Sequence, residues 1–485
     1  MSFISVSFLF FIIIVFLGYF ILPMKSRPYW LLVTSLFFYA CFDFRYFLFW
    51  GFCVISTYFS AKYMEDTRVS QKNKKVILVF TIVVNIGLLI FVKFYGYAMS
   101  IVESIFHVEI DKISVIVPLG IAFYTLQAIS YCVDVYKGQY TSEKSIFKYA
   151  LYMSYFPIIM QGPISRYHQL SVSLYEPHKF SFDRMKSGLS LALWGFFKKM
   201  VIADRAAMLV NQVFGSYVDY RGLEIVLAVF LYTIQLYTDF SGCVDISRGV
   251  SEVLGIQLTD NFKHPYFATS IKDFWRRWHI SLSSWFRDYI YIPLGGNRKG
   301  KVRRYINLLV VFLVSGLWHG VGFNYIAWGF MHGGYQVIGE LTQKKRNQIW
   351  GKLGVKEENV VYKFWKKCYT FALVAYAWLF FRASGFKAAI KMTILAFSTF
   401  NPEIFWNGRV FQLGLDKKDA LVLASSCIVL LIVSILQEKT SVRKLVEKQN
   451  VIVRWTIYVV AICCILIFGI YGPGFDESQF LYMQF

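Results

Sequence analysis

The sequence predicts an all-α polytopic membrane protein with about 11–13 transmembrane helices, and three observations predict it. Hydrophobic residues make up 57% of the 485-residue chain and charged residues only 16%, whereas a soluble domain averages about 45–50% apolar and about 25% charged. Uninterrupted apolar runs of transmembrane length recur from one end to the other. The ~10-residue alternating segments of a transmembrane barrel are absent.

The candidate spans are roughly 4–23, 29–43, 46–60, 76–95, 114–136, 187–204, 223–241, 305–319, 323–340, 364–382, 419–437 and 455–471. The first run, Phe3 to Leu22, lacks a basic n-region and a small-residue cleavage site, so it reads as a retained helix. After the third span, loop 61–75 carries Lys62, Arg68, Lys72, Lys74 and Lys75, which places it in the cytoplasm. Counting back puts the N-terminus outside. Loop 96–113, nearly free of basic residues, falls outside as well. In YFPIIMQGPISR (155–166), Pro157, Gly162 and Pro163 break an apolar run too short to cross, and a re-entrant segment is expected. Residues 261–298, rich in Trp, Tyr and Arg, read as interfacial or half-buried cytoplasmic helices. Lys299 to Arg304, Lys344 to Arg346 and Lys439 to Lys448 go inside, which leaves the C-terminal tail outside. No polar linker separates soluble domains, so residues 1–485 form a single membrane domain, multi-pass in the plasma or inner membrane.

The net charge of +22 does not point to nucleic acid. Lys and Arg sit in short clusters between apolar runs, as the positive-inside bias requires. The cysteines (Cys41, Cys53, Cys132, Cys243, Cys368, Cys427, Cys463 and Cys464) lie within or beside apolar runs and form no CxxC pair. Neither a metal site nor a disulfide framework is indicated, and core packing accounts for them.

SGLWHGVGFNYIAWGFMHG (315–333) places His319 and His332 in a run without an obvious charged partner. A helix from a cytoplasmic Arg304 rises roughly 22 Å by His319, past the middle of a hydrocarbon core about 30 Å thick. Gly316 and Gly320 beside it leave room for another group to approach the ring. An intramembrane histidine is a functional candidate; a neutral histidine hydrogen-bonded within a bundle is the alternative. Asp239 and Asp245, in LYTDFSGCVDIS, add carboxylates or simply accompany a helix cap around Ser241 and Gly242. His279 lies in DFWRRWHISLSSWFRDYIYIPLGGNRKG (273–300), which on composition alone could be an aromatic belt at headgroup level. Asn324 could orient an imidazole or cap the next helix, the cap being preferred. There is no GxSxG elbow and no HExxH pair. What remains is direct acyl transfer: a neutral histidine deprotonates a hydroxyl, which attacks a bound thioester without an acyl-enzyme.

The run from Gln235 to Gly300, with QLYTDFSG, NFKHPYFATS and the His279 segment, resembles the membrane-bound O-acyltransferase family, in particular its alginate O-acetylation branch. VSGLWHG, GFMHG, PLGIAFYTLQAISYCVDVYKG (118–138) and YFPIIMQGPISRY (155–167) continue the likeness. It implies an acyltransferase core at about 118–340, flanked by N-terminal helices 1–117 and by C-terminal helices with an outward tail at 341–485. It also implies a ring of helices around a thin centre, with a through-tunnel joining cytoplasmic and outer funnels. Carried over by motif, His319 is the catalytic residue, and His279 is its companion at the cytoplasmic mouth where the donor enters. His332, Trp318, Asn324 and Trp278 are supporting or tunnel residues. The donor would be acetyl-CoA or another acyl thioester, with no covalently bound cofactor. Membrane lipids surround the chain, and an extracytoplasmic esterase-like acetyltransferase partner would finish transfer to a polysaccharide, since no glycan-binding domain is present. Cys243–Val244 after DFSG departs from the family pattern without touching a catalytic position.

Two other functions compete. The family also has a branch that transfers D-alanyl groups to teichoic acid, against which IPLGGNRKG (292–300) and the extra C-terminal helices speak. A polysaccharide or proton-coupled transporter could use intramembrane histidines as relays, but no internal repeat with paired broken helices is visible. The tail SQFLYMQF carries Tyr482, either in an aromatic interfacial anchor or as an acyl relay folded back toward His319. The roughly eleven residues past Tyr471 can extend about 35 Å, and an aromatic C-terminal motif of this kind is part of the family resemblance.

Overall fold

A computed structural model describes residues 1–108, 115–176, 178–356 and 358–471. Within them a helix occupies the place of each predicted span, and no strand occurs among the described residues. The chain divides into two compact units, Met1–Ala192 with Cys243–Thr259, and Leu193–Gly242 with the chain from Asp260 on.

The first unit is built on α1 (Val6–Ile21), α2 (Arg27–Ala40), α3 (Tyr46–Glu65), α4 (Gln71–Phe106), α5 (Ile121–Tyr136), α6 (Ile146–Ser154), α7 (Tyr167–Tyr175) and the start of α8 (Phe182–Phe196). Serines start several of them: Ser5, Ser70 and Ser145 accept a hydrogen bond from the backbone N–H three residues on. The core is tyrosine-rich, with Tyr39, Tyr124, Tyr131, Tyr149 and Tyr152 buried and the Tyr131 and Tyr149 rings 4.5 Å apart. Residues 155–166 are irregular, and every side chain in the stretch is buried. Protein therefore covers the broken backbone, the condition under which such a segment is tolerated at membrane depth.

The second unit continues with the end of α8, then α9 (Asp204–Gly215), α10 (Leu223–Leu254) as far as Gly242, α11 (Ile271–Arg277), α12 (Ile280–Phe286), α13 (Gly300–His319), α14 (Phe323–Lys352), α15 (Val360–Arg382), α16 (Phe386–Phe397), α17 (Lys417–Gln437), α18 (Val442–Glu447) and α19 (Val451–Phe468). The expected span 187–204 is not one regular helix, because residues Phe197–Ala203 form a π-helical segment between α8 and α9. There Lys199 Nζ lies 2.7 Å from Asp204 and 2.6 Å from Asp239, with all three side chains almost fully buried. Lys198 Nζ donates to Ser241 Oγ at 2.8 Å. This corrects the cap reading of the Asp239 region: α10 runs through it, because a buried carboxylate in mid-helix is held by a buried cation instead of marking an end.

Glycines bring α13 and α14 together. A Cβ on Gly316 would collide with the Tyr325 carbonyl, one on Gly320 with the Tyr325 ring, and one on Gly329 with the Phe312 carbonyl. The space beside His319 that Gly316 and Gly320 leave is thus filled by α14. Trp278 and Trp285 are buried, so the aromatic residues of 273–300 build core and not a headgroup belt. Core packing also describes Cys53, Cys132 and Cys243, whereas Cys41, Cys368 and Cys463 are exposed.

Among the described residues four helices, α4, α10, α17 and α19, are long and apolar enough to cross a membrane, and α1 is a shorter apolar helix. Along α17 and α19 large apolar side chains such as Ile428, Ile432, Ile452 and Ile467 are more than half exposed. An apolar surface on that scale needs lipid to cover it. Inner helices such as α13 reach lower hydropathy because they carry polar groups that protein satisfies: Asn307 is 1% exposed and donates to the carbonyls of Leu294 and Gly296. The molecule is an all-α polytopic membrane protein.

Candidate active site

A cavity of about 1280 Å³ opens along α13 and α14 in the second unit. On α13 its wall runs through Arg304, Leu308, Val311 and Phe312 to Ser315; on α14 it runs from Arg346 through Glu340 and Gln336 to Tyr335. Lys272, Arg276, Arg287 and Lys366 add positive charge to the same lining, where Arg304 pairs with Glu340. The volume exceeds the ~300–1,000 Å³ of ordinary small-molecule pockets.

His319 and His332 do not line the cavity; each lies one turn or less beyond a residue that does. His319 follows Ser315 by four residues, hence on the same helical face and about 6 Å further along the axis. It is 4% exposed, and its ring meets Trp318 at 4.8 Å, Trp328 at 5.2 Å and Phe381 at 5.2 Å, each edge-on. On α14, His332 precedes Tyr335 and is completely buried. Its Nδ1 accepts the Trp275 indole N–H at 3.2 Å, and Trp275 itself lines the cavity. Trp328, one turn from His332, lies 5.1 Å from that ring, so it contacts both histidines.

His279, expected at the cytoplasmic mouth, lies beside the cavity wall. It is 1% exposed and absent from the cavity lining, although its neighbours Ile280, Leu282 and Ser283 form part of it. It stands in a left-handed turn (φ 43°) between α11 and α12. Asn261 fixes that turn: its Oδ1 lies 3.3 Å from His279 Nδ1 and accepts from Ser281 N and Oγ at 3.1 and 2.8 Å. The ring packs on Phe240 at 4.8 Å and edge-on to Trp318 at 6.3 Å, directly behind the lining residues Ile280 and Leu282. Trp318 contacts both His279 and His319.

Trp278 belongs to the aromatic core, 5.1 Å from Phe262 and 5.2 Å from Trp378. Asn324 neither caps α14, whose N-cap is Gly322, nor donates to an imidazole; its Nδ2 donates to the Phe380 and Ala383 carbonyls at 3.3 Å each, tying α14 to the end of α15. Tyr482 lies outside the described residues. Sequence reasoning passed over Trp275, Ser315 and the cations of the rim. The signal was present in the four-residue spacing of Ser315 to His319 and of Trp328 to His332.

The sequence profile of the membrane-bound O-acyltransferase family matches residues 141–350, which contain the whole α13–α14 pair up to Trp350. The chain is similar to "Probable alginate O-acetylase AlgI" of Pseudomonas putida, 34% identical over 82% of this chain and 80% of the relative. It is similar to "Peptidoglycan O-acetyltransferase" of Helicobacter pylori, 31% identical over 78% of this chain and 76% of the relative. A more partial likeness is to "Teichoic acid D-alanyltransferase" of Bacillus subtilis, 27% identical over 44% of this chain and 56% of the relative. With such identity across most of both chains, and with the profile covering α13, His279, His319 and His332, the chain belongs to the membrane-bound O-acyltransferase family and is an O-acyltransferase.

Proposed function

We propose that this enzyme moves acetyl groups from acetyl-CoA in the cytoplasm toward hydroxyls of a polysaccharide outside the cell membrane, with His319 as general base. One observation carries the reading: a cavity rimmed by Lys and Arg ends on Ser315, a single helical turn from His319. Lys272, Arg276, Arg287, Arg346 and Lys366 suit the phosphates of the nucleotide end, since charge-assisted bonds from Lys and Arg are the strong ones. Arg304 and Arg346 belong to the basic clusters that the positive-inside bias assigns to the cytoplasm, which supports donor access from that side and extracytoplasmic termini.

In the reaction, His319 takes the proton of the acceptor hydroxyl as its oxygen attacks the thioester carbonyl. The thiolate leaves and recovers the proton from the imidazolium, so the enzyme ends as it began. The acceptor is Tyr482 of the C-terminal tail, which hands the acetyl group to an extracytoplasmic esterase-like partner. The relatives named for alginate and peptidoglycan O-acetylation support a glycan as final acceptor and acetyl as the group.

The test uses purified full-length protein with radiolabelled acetyl-CoA. Transfer or slow hydrolysis of the label, lost in His319→Ala, is expected; label turned over only from a carrier-protein thioester, or not at all, contradicts the assignment. Tyr482→Phe removes one hydroxyl and should abolish glycan acetylation, whereas full acetylation would leave the tail an anchor.

A further inference from the structure

We propose that His332 and Trp328 hold the acyl carbonyl oxygen by their ring N–H groups, and that Trp275 is the positioning residue that sets which nitrogen of His332 donates. This inference rests on the acyl-transfer reading of the same cavity.

The tautomer of His332 follows from its partner. An indole N–H can only donate, and Trp275 Nε1 lies 3.2 Å from His332 Nδ1. Nδ1 must therefore present its lone pair, and the proton of the neutral ring sits on Nε2. That N–H is buried and has no hydrogen-bond partner among the described residues; the same is true of Trp328 Nε1. Leaving a buried donor unmade costs about 1–3 kcal/mol, and buried polar groups are satisfied almost everywhere in folded proteins. The rings that carry these two donors are in contact, their centroids 5.1 Å apart on successive turns of α14. Both are next to the proposed chemistry. Trp328 packs on His319 at 5.2 Å, and His332 is backed by Trp275, Phe312 and Tyr335, all of which line the inner cavity.

A thioester carbonyl oxygen is an acceptor of the kind these donors lack. As the hydroxyl oxygen bonds to the carbonyl carbon, the C=O π pair moves onto the oxygen, where two N–H donors stabilise it. The pair returns when the C–S bond breaks and the thiolate leaves. Nothing is oxidised, and the proton passes from hydroxyl to His319 to sulfur. His332 cannot serve as base in this arrangement, because its one lone pair is already engaged by Trp275.

The experiment compares His332→Phe, His332→Gln and Trp328→Phe in detergent-purified enzyme with labelled acetyl-CoA, with His319→Ala alongside. His332→Phe keeps an aromatic ring but no N–H, and kcat is expected to fall about 10²-fold with donor KM little changed, the effect of losing one such donor. His332→Gln restores a side-chain N–H and should recover part of that rate with an unaltered pH profile. Trp328→Phe should lose tenfold or more and serves if the His332 variants fail to fold. Full kcat in a folded His332→Phe or Trp328→Phe enzyme overturns the proposal, as does loss of one limb of the pH profile in His332→Gln, which would make His332 an acid–base group. An active His319→Ala enzyme, by contrast, would sink the acyl-transfer reading itself.

Discussion

The contact between α13 and α14 sets the distance between His319 and Trp328, and Gly329→Ala tests it. An alanine Cβ there would collide with the Phe312 carbonyl oxygen and stand 3.0 Å from its carbonyl carbon. Carbon atoms rest at about 3.5 Å or more, so the helices must part by at least ~0.5 Å. Overpacking of this kind costs about 1–3 kcal/mol. A misplacement of about 1 Å in a catalytic constellation can cost 10²-fold, so half of that predicts a loss of roughly tenfold in kcat. Gly334 lies on the same helix, and an alanine Cβ there would meet nothing within 4 Å, which makes Gly334→Ala the matched control. The gain in helix propensity at that position, about 1 kcal/mol, should leave the protein as stable or more so. The assay is thermal unfolding in detergent together with turnover of labelled acetyl-CoA. Wild-type stability and kcat in Gly329→Ala, or equal damage in Gly334→Ala, would refute the argument that close packing of this face positions the site.

Lys199→Met should cost about 3–5 kcal/mol, because Asp204 and Asp239 lose their shared buried cation; adding Asp239→Asn should recover part of it, as read by unfolding midpoints. Arg276→Gln with Arg346→Gln should raise donor KM roughly 10²-fold, at about 1.5 kcal/mol or more for each charged hydrogen bond removed, while kcat holds; an unchanged KM would move the phosphates off this rim. Asn324→Ala removes two hydrogen bonds to the end of α15 and should lower stability by about 1–3 kcal/mol, which the same unfolding measurement checks.

The helices were legible because apolar runs of transmembrane length are a property of the chain alone, and the family was legible through the motifs around His279 and His319. What escaped the sequence depended on partners distant along it. Asp239 looked like part of a helix end because nothing nearby announces Lys199, forty positions earlier, as its counter-ion. Gly316 and Gly320 were open space until α14 placed Tyr325 against them. His279 was expected at the cytoplasmic mouth through its motif alone, which says nothing of its burial. The left-handed turn that buries it is pinned by Asn261, which belongs to the preceding loop. The cavity itself needed both helices: Ser315 and Tyr335 lie twenty residues apart, and only the pairing of α13 with α14 brings them to one wall.

The central claim is that His319 takes the acceptor's proton at the inner end of the cavity. His319→Gln keeps polarity and nearly the size of the side chain but cannot act as a base, so a single-turnover measurement with labelled acetyl-CoA isolates the proton transfer. The account predicts a fall of about 10²-fold or more in a protein that still inserts, folds and binds donor with unchanged affinity. Acetyl transfer at the wild-type rate in that variant would contradict it.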